Sequence, residues 1–237
     1  MSTYVLVHGA YQGGWIWQPV TDRLRAAGHD VYAPSLDGCA ERRGALRPGI
    51  TTESHGTEVA DLLFYEDLSQ VILVGTSSGG MVACRAAELA PDRIARLVFV
   101  DALALDTGER IGDIVNRPPT SGDHLATGPT RQDVESRMFA HLDGDLRTWA
   151  ADRVTPHPIA VMEEPVELES FWTRSWSAHV IRCLRSPNPP LSHQQRTADR
   201  LGASWRELDT GHYPMLSTPD ELTTILLHPA VDEAAQR

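Results

Sequence analysis

The segment Val71-Ile-Leu-Val-Gly-Thr-Ser77-Ser-Gly-Gly80 constrains this chain more than any other. Its four leading aliphatic residues read as a short buried strand, and the small-residue run from Met81 to Ala90 reads as a helix. Between them Gly75-Thr76-Ser77-Ser78-Gly79 spells G-x-S-x-G. Strand, tight turn and helix in that order are the context in which this pattern forms a nucleophile elbow. So sharp a turn strains its central serine and needs small neighbours, which Gly75 and Gly79 supply. The Ser77 hydroxyl then stands above a sheet edge at a helix N-terminus, where backbone N–H groups favour developing negative charge. A glycine-rich turn can also be only a turn; the flanking strand and helix set Ser77 apart from that case.

The rest of the chain repeats the alternation. Tyr4–Val7 is a β-type run ended by His8-Gly9-Ala10, and Trp17, Val20, Leu24 and Ala27 share one helical face closed by Gly28. Asp30–Ala33 reads as a strand, 37–52 as a polar loop, Glu53–Glu66 as a helix, and Leu97–Val100 as a strand ending at Asp101. Such alternation implies a parallel sheet. Residues 105–177 break the rhythm with six prolines from Pro118 to Pro165 and with short helices expected at 131–142, 145–152 and 166–176. This is read as a helical cap over the C-terminal edge of the sheet, where open α/β sheets bind ligands. Its Trp149, Trp172 and Trp176 are candidates for substrate contact, with core packing as the equal alternative. Residues 1–104 and 178–237 form the core: strand 178–184, helix 191–201, strand 204–208, then a last helix opened by a Thr218-Pro-Asp-Glu221 capping box. Residues 228–237 are expected to be a frayed tail.

Composition narrows the partners. A chain of 237 residues fits one α/β domain. A net charge of −11 argues against nucleic acid and against an anionic membrane surface. Three widely spaced cysteines read as reduced thiols, and no Cys/His pair has zinc-like spacing, so neither metal nor cofactor is expected. The chain enters a strand almost at once and has no apolar run of transmembrane length, so a cytoplasmic protein, monomer or homodimer, is expected, with a small-molecule substrate.

A serine needs a base. Of ten histidines, His212 is the candidate: it follows the last strand in a Gly-His turn, over the same sheet edge as Ser77 and after it in sequence. His8, also at a strand end, is read as holding the glycine loop. The other histidines are expected on the surface or in the cap. An oxyanion hole needs two aimed N–H donors, read as those of Ser78 and Ala10.

The pieces Val-Leu-Val-His8-Gly-Ala10-Tyr-Gln-Gly-Gly-Trp15, Val-Gly75-Thr-Ser77-Ser-Gly-Gly80 and Gly211-His212 resemble the α/β-hydrolase superfamily. They are most similar to its branch of plant methyl-ester hydrolases and hydroxynitrile lyases with their bacterial relatives. The resemblance implies an α/β-hydrolase fold of about six mostly parallel strands, a helical cap and a cofactor-free Ser-His-acid machine. By position it carries Ser77 as nucleophile, His212 as base, and Ala10 and Ser78 as oxyanion donors. The branch places its acid after the strand ending at Cys183-Leu184, but Leu184-Arg-Ser186-Pro-Asn188-Pro-Pro has no carboxylate. Ser186 or Asn188 in that slot could orient the imidazole without stabilising imidazolium as a carboxylate does. Some α/β hydrolases carry the acid one strand earlier, which here is Asp101, the preferred candidate; Asp209, Asp106 and Glu109 stand behind it. The resulting expectation is a serine hydrolase of a small to medium apolar or aromatic carboxylic ester, lactone or thioester. A ligand-binding protein on the same scaffold is the alternative of another class. A hydroxynitrile-type lyase is disfavoured because the chain lacks lysine and Ala10 has no hydroxyl.

Overall fold

A computed structural model describes residues 1–116 and 125–228. Its strands are β1 (Thr3–Val7), β2 (Asp30–Tyr32), β3 (Val71–Ser77), β4 (Ile94–Ala102), β5 (Ala126–Thr127), β6 (His157–Pro158), β7 (Ala178–Cys183) and β8 (Ser204–Leu208). Six of them form one sheet in the order β2-β1-β3-β4-β7-β8, with every neighbouring pair parallel. The chain steps outward from β1 to β2 and returns to β3 on the other side. The loops after β1 and β3 therefore splay apart, which is where such sheets bind ligands.

The strands read as apolar runs because both faces are covered. Val5, Val7, Leu73, Leu97, Phe99 and Val180 point to one side, with Val59 and Leu63 of α2 (Thr52–Tyr65), α3 (Gly79–Leu89) and the helix 191–201. Their alternates Tyr4, Leu6, Val74, Val98, Val100 and Ile181 point to the other, against α1 (Gln18–Ala26) and the last helix, 219–227. This period of two follows from strand geometry.

Between β4 and β7 lie α4 (Ile111–Ile114), α5 (Arg131–Asp133), α6 (Gly144–Ala151) and α7 (Ile159–Glu163); α8 (Leu191–Leu201), α9 (Pro214–Ser217) and α10 (Pro219–Leu227) follow. Residues 117–124 of the predicted cap, and the predicted tail from 229 on, lie outside the described residues. The inserted segment departs from its predicted helices in three ways. The helix expected at 131–142 is α5 followed by a π-turn, Val134–Met138. That expected at 166–176 shrinks to a 3-10 turn, Phe171–Thr173, because its backbone is engaged elsewhere. Val166 N–H donates to Glu109 O (3.0 Å) and its carbonyl accepts from Gly108 N–H (2.9 Å), while Glu88 accepts from the amides of Ser170 and Phe171. The antiparallel pair β5–β6 was not legible in the sequence.

Two smaller expectations are corrected. Thr218 is the N-cap of α10, but its hydroxyl bonds back to Pro214 O (3.4 Å), since α9 abuts α10, and no capping box forms. His55, His179 and His193 are buried in the core, where each ring holds a partner: Asp37 O (3.0 Å), Ser204 Oγ (2.5 Å) and Ala104 N–H (3.1 Å). No helix among the described residues is long and apolar enough to cross a membrane.

The elbow depends on backbone contact. A Cβ on Gly75 would lie 2.6 Å from Gly79 O and 2.8 Å from Gly80 Cα, atoms that cannot move aside. Gly75→Ala is therefore expected to lower stability by about 3 kcal/mol in urea unfolding. Gly44→Ala, where an added Cβ meets nothing within 4 Å, should change it by less than about 0.5 kcal/mol.

Candidate active site

Ser77 ends β3 with φ +52, a left-handed backbone that a non-glycine residue adopts only under constraint. The constraint is the close approach of β1, β3 and α3: added Cβ atoms on Gly79 and Gly9 would meet His8 O at 2.5 Å and Ser77 Cβ at 2.7 Å. Asp101 sits opposite on β4. Thr76 pairs with Val100 and Ser77 with Ala102, so Asp101 is the extra residue of a bulge, with φ +45. A bulge re-aims a side chain, and this one turns Asp101 toward the far edge of the sheet.

There the carboxylate is fully buried and meets three donors. Oδ1 accepts from Cys183 N–H at the end of β7 (3.3 Å) and from Gln194 Nε2 on α8 (2.9 Å). Oδ2 accepts from His212 Nδ1–H at 2.6 Å. A carboxylate only accepts, so that bond assigns a proton to Nδ1 of His212, in the turn after β8 at the same C-terminal sheet edge as Ser77. The ring is 20 % exposed and so open to a ligand. Ser186 Oγ also lies 3.4 Å from Nδ1, but its own proton goes to Asn188 O (2.7 Å). The remaining acidic candidates are ion-paired elsewhere: Asp209 with Arg185, Glu109 with Arg196, Asp106 with Arg200.

The loop after β1 is held by groups that the sequence only partly revealed. His8 Nε2 accepts from Leu36 N–H (3.1 Å), so its Nδ1–H donates to Gly9 O (2.8 Å). Burial pushes His8 down to about 4, which keeps it neutral in that role. Gln12 Oε1 accepts from Gly9 N–H (3.2 Å), and Tyr213, one residue from His212, is buried. Neither Ala10 N–H nor Ser78 N–H is engaged in a turn or loop hydrogen bond among the described residues.

Ala10 and Tyr11 also pack on an apolar cluster formed by Met81, Leu103 and Leu105 with Ile111, Met162 and Val166 of the inserted segment. The predicted tryptophans lie elsewhere. Trp172 and Trp176 donate to Leu105 O (3.1 Å) and Phe171 O (2.9 Å) and pack against the α2–α3 face of the sheet. Trp149 packs edge-on against Trp15 (5.4 Å) beneath the Arg153 guanidinium. His141, from the inserted segment, presses on Gly211, where an added Cβ would meet its ring at 2.9 Å, and stacks on Tyr213 at 5.9 Å. A groove of about 610 Å³ along β2 and a cleft of about 260 Å³ beside Arg85 are lined by none of Ser77, Asp101 and His212. Gln12, Gln194 and Tyr213 are the residues that sequence reasoning missed; only their adjacency to Ala10 and His212, for Gln12 and Tyr213, offered a signal.

A family model described as "Alpha/beta hydrolase family" matches residues 4–224, and the chain belongs to that family. It is 32% identical over 235 residues to a carbendazim hydrolyzing esterase of Nocardioides sp., covering 94% of this chain and 97% of that one. It is 36% identical over 256 residues to methylesterase 7 of Arabidopsis thaliana, covering 94% of each. Among solved structures it is similar to an extracellular α/β-hydrolase from a Paenibacillus species, with a TM-score of 0.84, 20% identity and coverage of 98% of this chain and 100% of that one.

The buried histidines carry a pH dependence. Burial pushes His8, His55 and His193 each down to about 4. An unfolded histidine titrates near 6.5, so below that pH the unfolded chain binds more protons, and stability falls as pH drops. Stability should be flat above about pH 6.5 and fall toward about pH 4 by up to roughly 1.4 kcal/mol per pH unit for each histidine. His193→Gln, whose Oε1 can accept from Ala104 N–H in place of Nε2, should reduce that slope by about one proton in unfolding measured from pH 7.5 to 4.5.

Proposed function

We propose that this protein is a carboxylic ester hydrolase working through Ser77, His212 and Asp101. The observation that carries the proposal is the 2.6 Å bond from His212 Nδ1–H to the buried Asp101 carboxylate, at the sheet edge where the Ser77 elbow ends. The esterase and methylesterase names of its full-length relatives support it.

In this reading Ser77 Oγ attacks the ester carbonyl carbon and its proton passes to His212 Nε2. Asp101 holds the ring in the productive tautomer and stabilises the imidazolium. The oxyanion lies between Ala10 N–H and Ser78 N–H, the latter at the N-terminus of α3. His212 returns the proton to the leaving alcohol; water then attacks the acyl-enzyme by the same route. The inserted segment between β4 and β7 serves as the cap, packed through Ile111, Met162 and Val166 on Met81 and Leu103 of the core, and the substrate is a small or medium apolar or aromatic ester. Methyl esters of aromatic and branched acids are the first substrates to test, given the methylesterase relative. Ser186 is a secondary contact to the imidazole. The binding-protein alternative rested on a missing acid, and Asp101 supplies a carboxylate in contact with His212. Three buried, unpaired cysteines fit a cytoplasmic protein.

A fluorophosphonate should add once to the intact protein, with the adduct mapping to Ser77 and absent in His212→Ala. A folded protein that takes no adduct, or takes it at another serine, contradicts this function.

A further inference from the structure

Ala10 lies between two peptide planes, and each is pinned by a different imidazole. The Gly9–Ala10 plane carries the Ala10 N–H, and its carbonyl accepts from His8 Nδ1–H at 2.8 Å. The Ala10–Tyr11 plane ends in Tyr11 N–H, which donates to His157 Nδ1 at 3.4 Å. His8 belongs to the core, but His157 belongs to β6, in the segment inserted between β4 and β7.

The same stretch reinforces that grip. Thr155 N–H donates to Tyr11 O (3.1 Å), and Thr155 Oγ1 accepts from Ala40 N–H (3.0 Å). Tyr11 needs such support, since its φ of +69 is a left-handed backbone on a large side chain. The rings of Tyr11 and His157 meet edge to face at 6.0 Å.

His157 itself is 2 % exposed, with Cys39 Sγ 3.3 Å from its Nδ1 and the His55 ring 6.0 Å away. Burial, with His55 and His8 nearby, pushes it well below the ordinary histidine value, so the ring is neutral and can accept. An amide can only donate, so Nδ1 is the acceptor and the proton is on Nε2. That Nε2–H is buried without a hydrogen-bond partner among the described residues. An apolar side chain of similar volume would avoid that penalty. Stability alone therefore does not account for an imidazole here; its acceptor does.

We propose that His157 is a positioning residue of the oxyanion hole: through Tyr11 N–H it fixes the backbone of Ala10 and aims the Ala10 N–H. The inference rests on the proposed esterase reading, and it makes the inserted segment part of the catalytic apparatus. Assembly of the hole then requires the segment to be docked.

The test compares His157→Leu, which deletes the acceptor, with His157→Asn, whose Oδ1 can take the place of Nδ1. Each is assayed on an ester that wild type hydrolyses, and with a trifluoromethyl ketone. The ketone carbon bonds to Ser77 Oγ, the serine proton moves to His212, and the resulting oxyanion occupies the hole. His157→Leu should lower kcat by about tenfold, with KM nearly unchanged, and weaken the ketone by about the same factor. His157→Asn should recover most of both. Should His157→Leu not fold, His157→Gln, whose acceptor sits at the Nε2 end, replaces it with the same expectation. Wild-type kcat and ketone affinity in a folded Leu or Gln variant overturn the proposal. Equal impairment of His157→Asn at unchanged melting temperature also overturns it. Wild type that neither hydrolyses esters nor takes a fluorophosphonate adduct would instead overturn the function on which it rests.

Discussion

The bond from His212 Nδ1–H to Asp101 Oδ2 joins the turn after β8 to the end of β4, 111 residues apart in sequence and two strands apart in the sheet. Asp101 is fully buried, and a buried carboxylate is tolerated only when its oxygens are hydrogen-bonded. The end of β7, the side chain of Gln194 on α8 and the turn after β8 supply those donors. The carboxylate thus sets where three elements end relative to β4. Oδ1 has two of these donors, whereas Oδ2 has only the His212 ring among the described residues, so loss of that ring would leave a buried oxygen unpaired.

A second consequence concerns strain. Ser77 and Asp101 occupy neighbouring strands, and both have left-handed backbones, φ +52 and +45. A bulge between them shifts the register by one residue, so that Asp101 leaves the β-ladder and Leu103 N–H closes on Ser77 O at 2.9 Å. Left-handed non-glycine residues persist only where surrounding contacts over-determine them. Here the contacts are the glycine packing at Gly75, Gly79 and Gly80 on one side and the donors to Asp101 on the other. Two side chains are thereby brought to one edge from strands that would otherwise point them into the sheet.

The sheet and its flanking helices were legible because their signals are local: period-two strands, a helical face at Val20 and Leu24, and a glycine elbow. Ser77 and His212 stand out as candidates by the same local signals, whereas Asp101 is a candidate through the family resemblance together with its place at the end of a strand. The inserted segment was less legible. Residues 166–176 carry helix-compatible residues, yet their backbone pairs with Glu109, Gly108 and Glu88, partners tens of residues away in sequence. The tryptophans are ambiguous in the sequence because an indole suits a core as well as a ligand, and partners such as Leu105 O for Trp172 lie far away along the chain. His157 looked ordinary since its partner Tyr11 lies 146 residues earlier.

Asp101 of β4 and Ser186 of the loop after β7 both reach His212 Nδ1, and the proposed acid is Asp101. Paired kinetics on Asp101→Asn and Ser186→Ala, using any ester that wild type hydrolyses, test it most directly. The expected result is a fall in kcat of about 10⁴ for Asp101→Asn, the size seen when a triad acid is neutralised, and less than about tenfold for Ser186→Ala. Near-wild-type turnover in folded Asp101→Asn, with the large loss falling on Ser186→Ala instead, would contradict the account.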